Sequence, residues 1–471
     1  MDKALDLVVI GSGPAGQKAA IQAAKLRKRV VLVERAETLG GVCVNTGTIP
    51  SKTIREAVLY LTGLDQRGLY GQGYRLRDEV AVSDINERMR QVVERERNVV
   101  RDQLLRNHVQ LVGGTARFLD EQTVGVTDPA GAERRVEAAA VVIATGSCPA
   151  EVPGVDFGSE TIFDSDSILG IPQIPDTLLV VGAGTIGIEY ASMFAALGSR
   201  VTVVDARTEL LDFCDPEIVE SLRYHLRDAN VIFRFGERVT KATQLDGGTI
   251  TELESGKQIA ADAVLYSAGR QGATGDLGLE AIGLEADARG RIPVDERYRT
   301  AVPHIYAVGD VIGFPMLAST SAEQGRLAAC DIFGIPAHPM DDLLPYGIYA
   351  IPEIAFVGKT EPDLTQARVP YEVGIAHYRE LARGQITGET HGLLKLLVSS
   401  TDRKLLGVHA IGAESTELVH IGQAVMGLEG TIDFLLDTVF NYPTLAEAYK
   451  VAALDAANKL RAVSVAASSV G

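Results

Sequence analysis

Two stretches of this chain carry one pattern, and the repetition restricts the fold more than any other feature. Leu5 to Ile10 is an apolar run of strand length. Gly11-Ser12-Gly13-Pro14-Ala15-Gly16 follows, then a helical stretch from Gln17 to Leu26 and a second apolar run, Val30 to Val33, ending at Glu34. Further on, Leu178 to Val181 leads into Gly182-Ala183-Gly184-Thr185-Ile186-Gly187, a helical stretch from Ile188 to Leu197, and Val201 to Val204 ending at Asp205. The spacing from first glycine to terminal acid is the same in both. Strand, glycine turn, helix, strand and acid together form the signature of a dinucleotide cradle. Gly11 and Gly182 permit the tight turn. Gly13 and Gly184 let backbone approach a pyrophosphate at a helix N-terminus. Gly16 and Gly187 allow close helix–strand packing, and Glu34 and Asp205 take ribose hydroxyls. The expected fold is α/β, with two Rossmann-like dinucleotide-binding domains. Two cradles imply two dinucleotides, and an enzyme that moves hydride between them.

The second cradle carries a mixed signal. Asp205 favours a free ribose 2′-hydroxyl, the NAD pattern, whereas Arg207 suits a 2′-phosphate, the NADP pattern. Arg207 reads equally well as an exposed turn residue.

Composition narrows the partners. The net charge is −17 over 471 residues, which argues against nucleic acid or an anionic membrane as a main partner. Four cysteines (Cys43, Cys148, Cys214 and Cys330) show no metal-type or disulfide-framework spacing, so no metal is expected and a reducing, cytoplasmic setting fits. No stretch has the apolar length to span a bilayer. The N-terminus lacks a basic region and a cleavage site and runs directly into the first glycine turn.

The remaining chain divides by composition. Pro50 suits the first turn of a helix from Ser51 to Leu61. Ser83 to His108 is long, charged and helical, with alternating Arg and Glu that read as a solvated face. Val109 to Val126 and Arg134 to Ala144 read as strands of a small antiparallel insert. A Pro-rich connector, Pro149 to Pro175, marks a boundary, and the second unit closes near Leu265 to Arg270. Ile305 to Asp310 is another strand and glycine-acid turn, and Ser319 to Phe333 reads as a helix. From Tyr346 an α+β block without nucleotide motifs suggests an interface. It has strands at Ile348 to Val357, Gly392 to Val398 and Leu405 to Ile411. Its helices fall at Glu414 to Met426, Ile432 to Leu436 and Ala446 to Arg461. Ala462 to Gly471 reads as frayed. The expected domains are residues 1–150 and 273–345 for the first nucleotide, 151–272 for the second, and 346–471 for dimerisation.

One further stretch carries the chemistry: Gly40-Gly41-Val42-Cys43-Val44-Asn45-Thr46-Gly47-Thr48-Ile49-Pro50-Ser51-Lys52. It resembles the redox segment of the flavoprotein disulfide reductases, where a second cysteine precedes Ile-Pro-Ser-Lys. Here that position is Thr48, and a disulfide needs two sulfurs. With Ala144-Thr145-Gly146 and Val308-Gly309-Asp310, the likeness extends over nearly the whole chain. It implies FAD in the first cradle, NAD(H) and NADP(H) as substrates in the second, and a homodimer or higher homo-oligomer. It implies Asp310 at the flavin ribityl chain and Lys52 near flavin N5, paired with Glu189. It also assigns Arg35, Gly40, Gly41, Cys43, Thr145, Gly146, Gly269, Gly309, Leu317 and Ala318 to cofactor binding.

The family's C-terminal His-Pro-Thr, whose histidine serves the partner subunit as acid–base, is Tyr442-Pro443-Thr444 here. Tyrosine, with an ordinary pKa of about 10, is a poor base near neutrality. His338-Pro339 lies before the interface block and reads as a loop. The losses at Thr48 and Tyr442 match one branch, the soluble pyridine nucleotide transhydrogenases. That likeness implies ping-pong hydride exchange, NADPH + NAD⁺ ⇌ NADP⁺ + NADH, and places Lys52, Glu189, Cys43, Thr48 and Tyr442 at the catalytic centre. Cys43 also reads as a small buried residue with no redox part. Three other readings stand beside this one: a dihydrolipoamide dehydrogenase, an NAD(P)H diaphorase, quinone reductase or oxidase, and a redox-sensing scaffold.

Overall fold

The fold was obtained as a computed structural model that describes residues 5–470 apart from 72, 77–79, 151 and 153, with side chains described to residue 462. Both glycine patterns form the centre of a five-stranded sheet. In the first, Leu7–Ile10 lies between Val30–Glu34 and Val141–Ile143, with Gln110–Gly113 and Ile305–Ala307 at the edges. In the second, Thr177–Val181 lies between Arg200–Asp205 and Ala263–Tyr266, with Ile232–Phe235 and Ile162–Asp164 at the edges. Every pairing in the two sheets is parallel. Parallel strands are covered on both faces, which is why these segments read as unbroken apolar runs. Leu7, Val8 and Val9 are wholly buried, each contributing about 1.5–3 kcal/mol of transfer free energy.

The antiparallel insert differs from expectation. Gln110–Gly113 and Val141–Ile143 belong to the first parallel sheet, and only Thr115–Phe118, Thr123–Thr127 and Glu133–Glu137 form the insert. A short apolar run looks the same whether its partner is parallel or antiparallel, and only the topology decides. A second antiparallel trio, Val239–Leu245, Gly248–Leu253 and Gln258–Ala261, decorates the second unit.

The helices fall close to the sequence expectation. Thr48–Thr62 begins one turn earlier than Pro50 suggested, and Ala318–Ile332 follows the glycine-acid turn. Val82–Arg106 buries Ile85, Val93, Val100 and Leu104 and turns its charges outward. His338 lies in irregular chain, as read. The last helix, Glu447–Val470, continues through the stretch expected to fray.

The C-terminal block is an antiparallel sheet ordered Tyr346–Ile348, Ile354–Gly358, Leu405–Ile411, Leu393–Ser399, Tyr371–His377. Its residues Ile348, Ile354, Phe356 and Leu393 pack into the same core as the second parallel sheet. A wholly buried lysine, Lys395, reinforces that joint. Its Nζ lies 2.8 Å from Asp215 and from Glu217 at the start of a second-unit helix, and also pairs with Glu361. A buried cation persists only where carboxylates replace its lost water.

Candidate active site

One cavity of about 1480 Å³ runs between the two parallel sheets and reaches the C-terminal block. Such a volume exceeds that of an ordinary single-ligand pocket, roughly 300–1,000 Å³. Each cradle opens onto it. Gly11 and Gly182 hold φ of +104° and +108°, the left-handed region open to glycine. A Cβ at Gly16 would stand 1.9 Å from the Gly11 carbonyl oxygen, and one at Gly187 1.9 Å from that of Gly182. The third glycine is therefore required by helix–turn contact in both. At Gly13 a Cβ would meet nothing within 4 Å, so that turn faces open cavity, the space a pyrophosphate needs. The hydroxyl of Thr145 also lines the cavity, buried and without a partner. Open backbone at a helix N-terminus and an orphaned donor fit a dinucleotide.

The terminal acids are held differently. Glu34 accepts from the Ser12 amide at 2.9 Å, the Ser12 hydroxyl at 2.6 Å and the Ala36 amide at 2.9 Å. Ser12 in turn accepts from the Gly40 amide. Asp205 accepts from the Ala183 amide at 2.6 Å and from the Arg207 guanidinium, whose Nη2 lies 2.9 Å away. Burial pushes the Asp205 carboxyl up, but the Arg207 guanidinium and the two backbone amides outweigh it, holding it below the usual carboxylate range. Arg207 also reaches Asp212 at 3.3 Å.

On the cavity wall three parts of the chain meet. Lys52 Nζ, on the helix after Thr48, lies 2.6 Å from Glu189 Oε2, on the helix after the second glycine turn. Glu189 Oε1 accepts from the Tyr349 amide at 2.9 Å. Lys52 also sits 4.9 Å over the Tyr349 ring, a cation–π contact. Tyr349 belongs to the C-terminal block, so that block completes the site. Its neighbours are fixed too. Arg55 Nε donates to the Ala350 carbonyl, and the Ile351 amide donates to Ser192 Oγ. Cys43 is a free thiol facing Thr48; burial pushes its pKa up, opposed by a hydrogen bond from Thr48.

Of the sequence-assigned residues, Gly11, Gly13, Glu34, Arg35, Gly41, Cys43, Thr48, Lys52, Thr145, Gly146, Gly184, Glu189, Gly269, Gly309, Asp310, Leu317 and Ala318 line this cavity. Gly16, Gly40, Gly182 and Gly187 stand behind its wall, and Asp205 and Arg207 lie beyond it at the end of the second cradle. Tyr442 is separate. It is 67% exposed and does not line the cavity of its own chain. Sequence reasoning missed Ser12, Ser147, Asp166 and Tyr349, all cavity residues. Ser12 was legible in principle, as the x of the first Gly-x-Gly.

The family description "Pyridine nucleotide-disulphide oxidoreductase" matches residues 5–325, and its dimerisation domain matches residues 344–453. The chain belongs to this family. It is 60% identical to the soluble pyridine nucleotide transhydrogenase of Mycobacterium tuberculosis (strain ATCC 25177 / H37Ra) over 459 residues, 97% of this chain and 98% of that protein. It is 46% identical to the soluble pyridine nucleotide transhydrogenase of Azotobacter vinelandii over 458 residues, with the same coverage. Among solved structures, LpdA from Mycobacterium tuberculosis superposes with a TM-score of 0.88 at 26% identity, covering 96% of this chain and 99% of that one. The HOCl-induced flavoprotein disulfide reductase RclA from Escherichia coli superposes with a TM-score of 0.86 at 27% identity, covering 95% and 99%. In this member of the family the Lys52–Glu189 pair and both glycine turns are in place, and Thr48 occupies the position that the family resemblance gives to a second sulfur.

Proposed function

We propose that this enzyme transfers hydride reversibly between NADPH and NAD⁺, using FAD in the first cradle and one pocket for both nicotinamide nucleotides in turn. The observation that carries the reading is the meeting of Cys43 and Thr48 beside an intact Lys52–Glu189 pair. The electron path to a thiol is closed, and the path between nucleotides is open. The 60% identity to a protein named for this activity supports it.

FAD, when bound, supplies a two-electron carrier that takes and returns hydride. Gly11, Gly13 and Gly16 shape its pyrophosphate site, Glu34 the adenosine ribose end, and Asp310 the ribityl end. Gly182, Gly184 and Gly187 do the same for the nicotinamide nucleotide. Glu189 and Tyr349 hold Lys52 with its charge toward the reacting centre, where a cation favours negative charge on the carrier. Asp205 and Arg207 divide the second ribose site, serving the 2′-hydroxyl and the 2′-phosphate respectively. No proton passes to a thiol, so Thr48 and Tyr442 cost this chemistry nothing.

The organisation follows. Residues 1–150 and 273–345 serve FAD, 151–272 the nicotinamide nucleotide and 346–471 the assembly of a homodimer, in which Tyr442 faces the partner's site. Among the described residues no helix is long and apolar enough to cross a membrane, and the acidic chain suits the cytoplasm. The test is a comparison of acceptors. NADPH oxidation by thio-NAD⁺ should far outrun oxidation by lipoamide or a quinone. Comparable turnover with lipoamide would sink the reading.

A further inference from the structure

The chain crosses between its two nucleotide units twice, and the crossings are paired. Ser147–Pro149 leaves the first unit and Arg270–Gly272 returns to it, as a two-stranded antiparallel ribbon with Gly272 opposite Ser147 and Arg270 opposite Pro149. Any motion of one unit against the other must work through this ribbon, because it holds both covalent links between them.

Arg270 occupies the ribbon and faces the cavity with its side chain 12% exposed. Its guanidinium is engaged along its whole edge. Nε donates to Ser147 Oγ at 2.9 Å and Nη2 to the Ser147 carbonyl at 3.0 Å. Nη1 donates to Ser165 Oγ at 3.0 Å and to Asp166 Oδ1 at 2.9 Å. Ser147 Oγ then donates its own proton to Asp310 Oδ2 at 2.8 Å. Asp310 begins the turn after the outer strand of the first sheet, while Ser165 and Asp166 follow the outer strand of the second.

The result is a continuous polar line, Asp166–Arg270–Ser147–Asp310, crossing from one nucleotide unit to the other. All four residues line the shared cavity. The line has direction. Because Arg270 has donors only, Ser147 Oγ must accept from it, and its single hydroxyl proton then goes to Asp310. A fork of five fixed donors can bridge Ser147 and Asp166 at once, which a lysine's point charge cannot. The residues do not explain the fold by themselves, since both sheets have cores of their own.

We propose that Arg270 is a positioning residue that couples occupancy of the nicotinamide site to the grip of Asp310 on the flavin. The inference rests on the assignment of FAD to the first cradle and the nicotinamide nucleotide to the second. A nucleotide that settles against the second unit fixes Asp166, and through Arg270 and Ser147 it fixes Asp310. By linkage, a coupling of this kind is reciprocal and measurable at equilibrium.

The experiment uses FAD-loaded holoenzyme and NADP⁺, which binds without turnover. The rate of FAD release is followed by flavin fluorescence with and without saturating NADP⁺. In the parent, NADP⁺ should slow release about fivefold or more, the lower end of ordinary coupling. In Arg270→Gln the ratio should collapse to about one, with Arg270→Lys between. Ser147→Ala, which alters one hydroxyl and leaves the ribbon's backbone bonds, should reduce the ratio in the same direction. Combined with Arg270→Gln, it should change nothing further, because both residues lie on one line. A ratio of one in the parent overturns the proposal. So does a ratio unchanged in both single variants, or independent effects in the double variant. A parent enzyme whose flavin is not bleached by NADPH would instead defeat the underlying assignment of the two sites.

Discussion

In the first cradle, Glu34 is held by neutral donors, the amide and hydroxyl of Ser12 and the amide of Ala36. In the second, Asp205 is held by the Ala183 amide on the turn and by the Arg207 amide, the counterpart of Ala36, and in addition by the guanidinium of Arg207. The glycine geometry is nearly superimposable. The first glycines have φ of +104° and +108°, and a Cβ on the third would lie 1.9 Å from the first's carbonyl oxygen in each. On the proposed assignment of the two cradles, the turn sets that a dinucleotide binds, and the acid's surroundings set which one and how exchangeably. Neutral donors hold one carboxylate geometry for a resident cofactor. A half-exposed arginine can leave Asp205 for a phosphate and return, as a site that alternates between two substrates requires.

The strongest way to break this comparison is to fill the third glycine. Gly16→Ala and Gly187→Ala both force a methyl into a carbonyl oxygen, with an overpacking cost of about 1–3 kcal/mol or more. The outcomes should differ by cradle. Gly16→Ala should yield protein with little flavin, read as the ratio of absorbance at 450 and 280 nm. Gly187→Ala should remain yellow but should fail to bleach with NADPH. Flavin loss in both would mean that the two cradles do not serve separate nucleotides.

The next effect lies between the cradles. Glu189 is 3% exposed and its only charged partner among the described residues is Lys52. Glu189→Gln leaves Lys52 beside the reacting centre without its counter-ion. Disordering one preorganised charge at a reacting centre costs about 2.7–4 kcal/mol of barrier, so the limiting rate of flavin bleaching by NADPH should fall by about 10²–10³-fold in stopped-flow. A change in half-saturation alone would confine Glu189 to nucleotide binding.

Both cradles were legible in the sequence because each is local. Strand, turn, helix and acid fit within one short stretch, and every residue's part follows from backbone geometry. The Lys52–Glu189 pair spans the units and came only from the family resemblance. Tyr349 was not legible, since it contributes an amide hydrogen to Glu189 and an aromatic face to Lys52, and neither leaves a motif. Arg270 was visible merely as the residue closing a unit. Its neighbours Ser147 and Asp166 are more than a hundred residues upstream, and no spacing rule reaches that far. The parallel placement of Gln110–Gly113 failed for the same reason, because strand partners are set by topology rather than by the run itself.

A smaller effect tests the exchangeable acid directly. Arg207→Ala should weaken NADPH by about tenfold, the value of one charge-assisted contact of about 1.4 kcal/mol. NADH should be little affected or bind slightly better, since Asp205 is then free to meet the ribose hydroxyls. Asp205→Asn should reverse the preference, because Arg207 keeps only its longer pairing with Asp212 and becomes more available to phosphate. Binding titrations monitored by flavin fluorescence would read both. Equal effects on the two nucleotides would reduce Arg207 to a surface residue.

The smallest effect is a pH dependence that belongs to the ligand rather than the protein. The 2′-phosphate of NADPH loses its second proton with a pKa near 6. Asp205 is held below the usual carboxylate range by Arg207 and two amides, against burial. A depressed carboxyl keeps its charge, and the stability its ion pair confers, until pH falls through that lowered value. Between pH 8 and pH 5.5, then, Asp205 does not change while the phosphate sheds one negative charge. Arg207 is shared between the two, so lowering the pH tilts it toward Asp205. The affinity ratio of NADPH to NADH should fall several-fold across that interval in the parent and should be flat in Arg207→Ala. A ratio that instead rises on acidification would mean that Asp205 takes up a proton in this range, and burial would then outweigh Arg207 and the amides and raise the carboxyl above the usual carboxylate range.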